Sequence, residues 1–138
     1  VVMNDCSARD VQWEEHRRGL FGPLGKTKSF ANAMGPELVT ADEILPRLDA
    51  LRGWVRVNGE VWSETSTSDM QHSFGAMVAE AARGEQLLPG EMLSSGTLPS
   101  GCGLELGRWL QPGDELELEI EGVGVLRGRA GSRDATHA

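Results

Sequence analysis

Glycine limits what this chain can build. Eighteen of its 138 residues are glycine, and each interior glycine costs a helix about 1 kcal/mol relative to alanine. The segments between glycines are mostly short and often alternate in polarity, which predicts a strand-rich domain with few helices. The sharpest local pattern is Trp54-Val55-Arg56-Val57, then Asn58-Gly59, then Glu60-Val61-Trp62. Two alternating runs flank the dipeptide that a type I′ turn prefers, so residues 54–62 are expected to form a hairpin. Pro89-Gly90-Glu91 and Pro112-Gly113-Asp114 place Pro and Gly where a type II turn needs them, each expected to lead into a strand. In the second of these strands, residues 115–121, Leu116, Leu118 and Ile120 share one face and four glutamates the other; the acidic face reads as solvated rather than metal-binding. Residues 1–3 read as the end of a buried strand.

Helices are expected at three places. Ser7 can cap a short helix over residues 7–18, with Asp10 in its first turn. Thr40 with Glu43 opens a second, which Pro46 limits to about one turn. The main helix is expected over residues 68–83: Ser68 with Gln71 opens it, and Gly84 stops it. Along it Met70, Phe74, Met77, Val78 and Ala81 recur at helical spacing as a core stripe. Residues 19–36 read as irregular loop and residues 131–138 as a polar tail. The expected fold class is α+β, mainly β, as one domain over residues 1–130.

Hydrophobic residues make up 39% of the chain, enough for a core at this length. The net charge of −8, with no compensating run of Lys and Arg, argues against nucleic acid or an anionic membrane surface as partner. No stretch approaches the roughly 18 apolar residues of a membrane span, and Val-Val-Met-Asn-Asp lacks the pattern of a signal peptide. The expectation is a cytoplasmic protein. Because the sequence starts on Val inside an apolar run, it is also expected to be the later part of a longer protein. Cys6 and Cys102 lack the spacing of a disulfide framework or zinc site, and His16, His72 and His137 are scattered.

Three clusters place polar residues where packing does not ask for them. In Asn4-Asp5-Cys6-Ser7-Ala8-Arg9-Asp10-Val11-Gln12, a helix puts Arg9 and Gln12 three apart on one face, with Asp5 just ahead of its start. The plainer reading makes Arg9 and Asp10 surface charges and Asp5 a capping aid. Gly25-Lys26-Thr27-Lys28-Ser29-Phe30 is a cationic loop without the spacing of a phosphate loop, and by itself reads as solvated. Ser94-Ser95-Gly96-Thr97 and Gly101-Cys102-Gly103-Leu104-Glu105-Leu106-Gly107 allow close backbone approach to a ligand, with Thr97 and Glu105 as the polar groups. The same residues also read as a glycine-rich bend.

Together the clusters resemble the catalytic half of the fumarylacetoacetate hydrolase family. The resemblance rests on Asn4-Asp5-x-Ser7-Ala8-Arg9-Asp10-x-Gln12, Lys28-Ser29-Phe30, Gly35-Pro36 and Val39-Thr40-x-Asp42-Glu43. It continues through Val57-Asn58-Gly59-Glu60, Thr67-x-x-Met70, Leu88-Pro89-Gly90-Glu91, Ser95-Gly96-Thr97 and Leu110-x-Pro112-Gly113-Asp114. It reaches to about Ala130 and depends on no single motif. It implies a mixed sheet rolled into a barrel-like β-roll with the main helix outside, commonly in a homodimer, for which the hairpin at Trp54 and Trp62 is a candidate contact. It also implies cleavage of a carbon–carbon bond in a β-dicarbonyl acid. Oxaloacetate decarboxylation, or isomerisation and hydration of a dienoate, are alternatives within the family, and a non-catalytic module that pairs with a partner segment is an alternative outside it.

By the same resemblance Asp5 is a ligand of a divalent metal, Mg2+ before Mn2+ or Ca2+. Arg9, Gln12 and Lys28 bind substrate oxygens and stabilise charge. Thr97 binds substrate, and Glu105, with a histidine, activates water. Lys28 is preferred to Lys26 because it directly precedes Ser29-Phe30, although the two could exchange roles. The family's Glu-x-Glu metal pair and catalytic histidine lie ahead of the Asn-Asp segment, and no histidine here falls at a matching position.

Overall fold

A computed structural model of the chain describes residues 1–19 and 25–132. The chain opens with β1 (Met3–Asp5), then α1 (Arg9–Arg18) and β2 (Asn32–Met34); β1 and β2 pair antiparallel, with Asp5 opposite Asn32. One turn of helix, α2 (Ala41–Ile44), leads into a 3-10 turn at Leu45–Arg47, where Pro46 ends the helical run as expected. The hairpin follows as β3 (Arg52–Val57) and β4 (Glu60–Ser66). Asn58 at φ 51° and Gly59 at φ 79° give the two left-handed residues that a type I′ turn requires. After α3 (Phe74–Ala81) and α4 (Gly103–Leu106) come β5 (Glu115–Ile120) and β6 (Gly124–Arg129).

The four longer strands form one antiparallel sheet in the order β4-β3-β5-β6. Its pleat sorts the residues by face. Gly53, Val55 and Val57 of β3 stand opposite Ile120, Leu118 and Leu116 of β5 on the apolar side. Val2, Leu51, Val123 and Leu126 form the buried cluster, covered by Val39, Ile44, Leu48, Leu118 and Ile120. On the other side the glutamates of β5 meet arginines. Arg56 bridges Glu117 and Glu119 at 2.7 and 2.6 Å, Arg127 holds Glu117, and Arg129 holds Glu115. The acidic face is therefore a cross-strand charge lattice rather than bare solvated carboxylates.

The architecture is mixed and mainly antiparallel sheet with few helices; among the described residues the sheet is open, with β4 and β6 at its edges. Several boundaries differ from the expected ones. The first strand lies at Met3–Asp5, so Asp5 belongs to it, and β2 arises inside the stretch read as irregular loop because β1 supplies it with a partner. Ala8, not Ser7, is the N-cap of α1, since the Ser7 hydroxyl turns back to donate to the Asp5 carbonyl. Residues 67–69 form a 3-10 turn, Met70 is extended, and Ser73 caps α3 through the Ala76 N–H, so the main helix begins at Phe74. Phe74, Met77, Val78 and Ala81 are half-buried and stand outside the core cluster. Gly90 and Gly113 have the positive φ of a type II turn, but only the second turn leads into a strand. After the first, Ser94 accepts the Gly96 N–H in a local turn that replaces sheet pairing. The residues 133–138 of the expected tail, His137 among them, lie outside the described residues.

Candidate functional site

The site begins where β1 ends. Pairing with β2 holds Asp5 in extended backbone, and the Ser7 hydroxyl on the Asp5 carbonyl turns the chain into α1. Lys28 reaches this point from the loop ahead of β2, and its Nζ donates to Asp5 Oδ2 at 2.5 Å, with both side chains about one-third exposed or less. Lys26, by contrast, is exposed and engages Glu15 through its backbone N–H. Burial, then the charge of Asp5, push the neighbouring Cys6 thiol above its ordinary range, so it stays protonated and a poor nucleophile.

At the first residue of α1, Arg9 donates from Nη1 to Oε1 of Gln12, one turn further on, at 2.6 Å, as the three-residue spacing on a helix allows. Its Nη2 donates to Cys102 Sγ at 3.1 Å, which ties α1 to the glycine-rich segment far along the chain. Cys102 is the N-cap of α4, and its N–H donates to Glu105 Oε2 at 3.1 Å, so Glu105 caps its own helix while remaining exposed. Thr97 is exposed one residue before Leu98, whose side chain covers Gly53 of β3. The structure thus joins Asp5 to Lys28 and Arg9 to Gln12 by side-chain contact. Thr97 and Glu105 share the segment that reaches Arg9 at Cys102, without a side-chain bond to the other four.

Four further residues shape the site. Glu15 and Thr27 pin the lysine loop to α1, and the Thr27 hydroxyl followed by the Lys26 amide hold the Glu15 carboxyl below the usual carboxylate range. Cys102 receives Arg9. Arg108, just past α4, stacks 4.1 Å over the Trp62 ring and grips Glu60 with both terminal nitrogens at 2.9 and 2.8 Å. That grip anchors the α4 segment to the hairpin and keeps the Glu60 carboxyl below its ordinary range. None of the four is visible locally, because each contact spans eleven residues or more of sequence. The loop of residues 25–30, read as solvated, in fact buries Thr27 completely.

The chain's own donors fall short of a metal site. Among the described residues no three His, Cys, Asp or Glu side chains group so as to hold an ion. Hard divalent cations take about six or more oxygens, and Asp5 offers one carboxylate, already engaged by Lys28. His16 and His72 are exposed. No helix among the described residues is long and apolar enough to cross a membrane.

Over 128 residues the chain is 35% identical to an oxaloacetate tautomerase of Bos taurus, FAHD2A, covering 91% of this chain and 40% of that protein. Among solved structures it is similar to a putative HpcE protein from Mycobacterium smegmatis, with TM-score 0.78 and 36% identity, covering 93% of this chain and 46% of that one. It is also similar to a fumarylacetoacetate hydrolase from Exiguobacterium antarcticum, with TM-score 0.77 and 31% identity, covering 95% and 46%. The chain therefore spans less than half the length of these relatives. The family model for the C-terminal region of fumarylacetoacetate hydrolase matches residues 1–130, and the chain belongs to that family.

Proposed function

We propose that this chain carries part of the active site of a metal-dependent hydrolase that cleaves a carbon–carbon bond in a β-dicarbonyl acid of the fumarylacetoacetate or acylpyruvate type. The observation that supports this reading is the meeting of the Lys28 ammonium with Asp5, directly ahead of the Arg9–Gln12 pair on α1. In such a cleavage, water adds to one carbonyl, the bond to the neighbouring carbon breaks, and its electron pair becomes an enolate that takes a proton. Negative charge develops on oxygens at two places, and fixed cations in a partly dry site stabilise it without reorganising. Arg9, its fork oriented by Gln12, and Lys28 take that role. The Thr97 hydroxyl donates to the substrate, and Glu105 accepts the proton of the attacking water, a task a carboxylate does better beside an imidazole.

Asp5 is proposed as one ligand of a divalent cation, Mg2+ by preference. The other donors, and the histidine beside Glu105, then come from polypeptide outside the described residues, because the described ones do not make the site alone. Strands from the same source would close the open sheet into a barrel-like roll. The active form is proposed to be a cytoplasmic homodimer acting on a small oxo-acid.

A second reading is favoured by the tautomerase relative: keto–enol interconversion or isomerisation of an oxo-acid. It uses the same cationic groups but needs no attacking water, and therefore no Glu105. The test is proton NMR on the polypeptide purified from its native source, with Mg2+ and either an acylpyruvate or oxaloacetate. Pyruvate plus a carboxylic acid supports hydrolysis, while deuterium exchange at C3 without cleavage supports tautomerisation. Neither outcome would leave the chain as a non-catalytic module.

A further inference from the structure

We infer that Glu15 and Thr27 are positioning residues, a clamp that sets the Lys28 ammonium against Asp5. The stretch of residues 25–30 has no strand or helix of its own, yet Thr27 is 0% exposed. Three donors from two consecutive residues converge on the Glu15 carboxylate. The Thr27 hydroxyl reaches Oε2 at 2.5 Å, the Thr27 N–H reaches the same oxygen at 3.3 Å, and the Lys26 N–H reaches Oε1 at 2.6 Å. The Thr27 carbonyl accepts from the N–H of Ala8, the N-cap of α1, at 3.1 Å. The carboxylate comes so close that a Cβ on Gly25 would lie 2.8 Å from Glu15 Oε1, which only glycine avoids without a shift.

The consequence falls on the next residue. A lysine on an unfixed loop carries its charge on a flexible four-carbon stem and loses much rotamer freedom on pairing. Here the backbone on its N-terminal side is bonded to the start and the middle of α1, so only the stem of Lys28 remains to be ordered when Nζ meets Asp5. The same helix carries Arg9 and Gln12, so the clamp fixes the ammonium and the guanidinium in one frame. Glu15 and Thr27 need touch no reacting atom. The catalytic meaning of this placement rests on the function proposed above; the placement itself does not.

The sequence allows a test without turnover, because Lys26 and Lys28 are its only lysines. A brief pulse of acetic anhydride, read by mass spectrometry, gives the ratio of their reactivities within one chain. In the wild-type protein Lys26 acylates faster than Lys28. Thr27→Val, which keeps shape and deletes the hydroxyl, raises Lys28 labelling relative to Lys26 by about threefold or more, the scale of a lost charge-assisted pair. Thr27→Ser restores the wild-type ratio, and Asp5→Asn raises Lys28 labelling with no further increase when Thr27→Val is added. Glu15→Gln, a change on a half-buried helix position, gives the same rise and decides the matter if Thr27→Val fails to fold. An unchanged ratio in Glu15→Gln, a failure of Thr27→Ser to restore it, or an additive effect of Thr27→Val on Asp5→Asn overturns the clamp. Expected ratios without turnover of any oxo-acid leave the clamp standing and remove the proposed activity; turnover with unmoved ratios does the reverse.

Discussion

A half-buried ammonium on a carboxylate, as at Lys28 and Asp5, gains more than a surface ion pair because fewer waters screen it. Two glycines show how tightly the neighbouring segments approach. A Cβ on Gly103 would lie 2.5 Å from the Arg108 carbonyl oxygen, whereas one on Gly53 would meet the Leu98 Cδ1 at 2.7 Å. Backbone cannot yield as a side-chain end can. Gly103→Ala is therefore expected to cost roughly 2–3 kcal/mol, and Gly53→Ala less, in urea unfolding; the reverse order would show that the α4 turn is looser than its geometry implies. Glu15 gives a pH prediction. Its carboxyl is held low by the Thr27 hydroxyl and the Lys26 amide, so the folded state favours the ionised form. That contribution is complete above the ordinary glutamate range and is lost as pH falls through the lowered folded value. The protection factor of the Thr27 amide, its exchange rate taken relative to the unfolded chain at the same pH, should fall on acidification below about pH 4, an effect absent in Glu15→Gln.

Elements with a local signal were legible in the sequence, and elements made by distant partners were not. Asn58-Gly59 announces its hairpin through backbone conformation alone, and the structure adds why Asn suits the first position. Its side chain donates to Asp114 Oδ1 at 2.8 Å and accepts the Glu115 N–H at 2.9 Å, which docks the turn on β5. Asn58→Ala loses both bonds and strains φ, and should cost about 2 kcal/mol by thermal or urea unfolding. The main helix starts at Phe74 rather than at Ser68 because Ser73 supplies its cap. Ser66 accepts the Ser68 N–H and draws residues 67–69 into a separate turn. Ser73→Ala should therefore lower stability by about 1 kcal/mol while Ser68→Ala changes little. For β2 the deciding partner is β1, with Met3 paired to Met34 far along the chain; β6 and α4 lie beside their partners β5 and Arg108 in sequence, but Gly124, Gly128, Gly103 and Gly107 interrupt their patterns. The site shows the same division. Arg9 and Gln12 shared a face by spacing, and Asp5 and Lys28 gained their roles only through the family resemblance, whereas Glu15, Thr27 and Arg108 act through residues far along the chain.

The whole molecule exposes 9971 Å², against roughly 7,000 Å² for a folded monomer of its size. Much of the apolar part lies open: Leu38 is 77% exposed, and Trp13, Phe30, Trp109 and Met92 all exceed half. Trp54 and Trp62 are half-buried beside Arg52, Arg56 and Arg108. An apolar surface of this extent favours association, so sedimentation of the 138-residue chain should give a species larger than one copy; a monomer that unfolds cooperatively would mean the surface needs no cover.

Asp5, Arg9 and Lys28 are proposed to act on one oxo-acid in a shared site. This is tested most directly by the kcat of the polypeptide from its native source on an acylpyruvate with Mg2+, followed by ultraviolet absorbance, beside Asp5→Ala, Arg9→Met and Lys28→Met. Each variant is expected to lose about a hundredfold or more in kcat, the scale of removing one preorganised charge from a transition state. Wild-type turnover retained in all three would mean that these side chains do not act on the substrate.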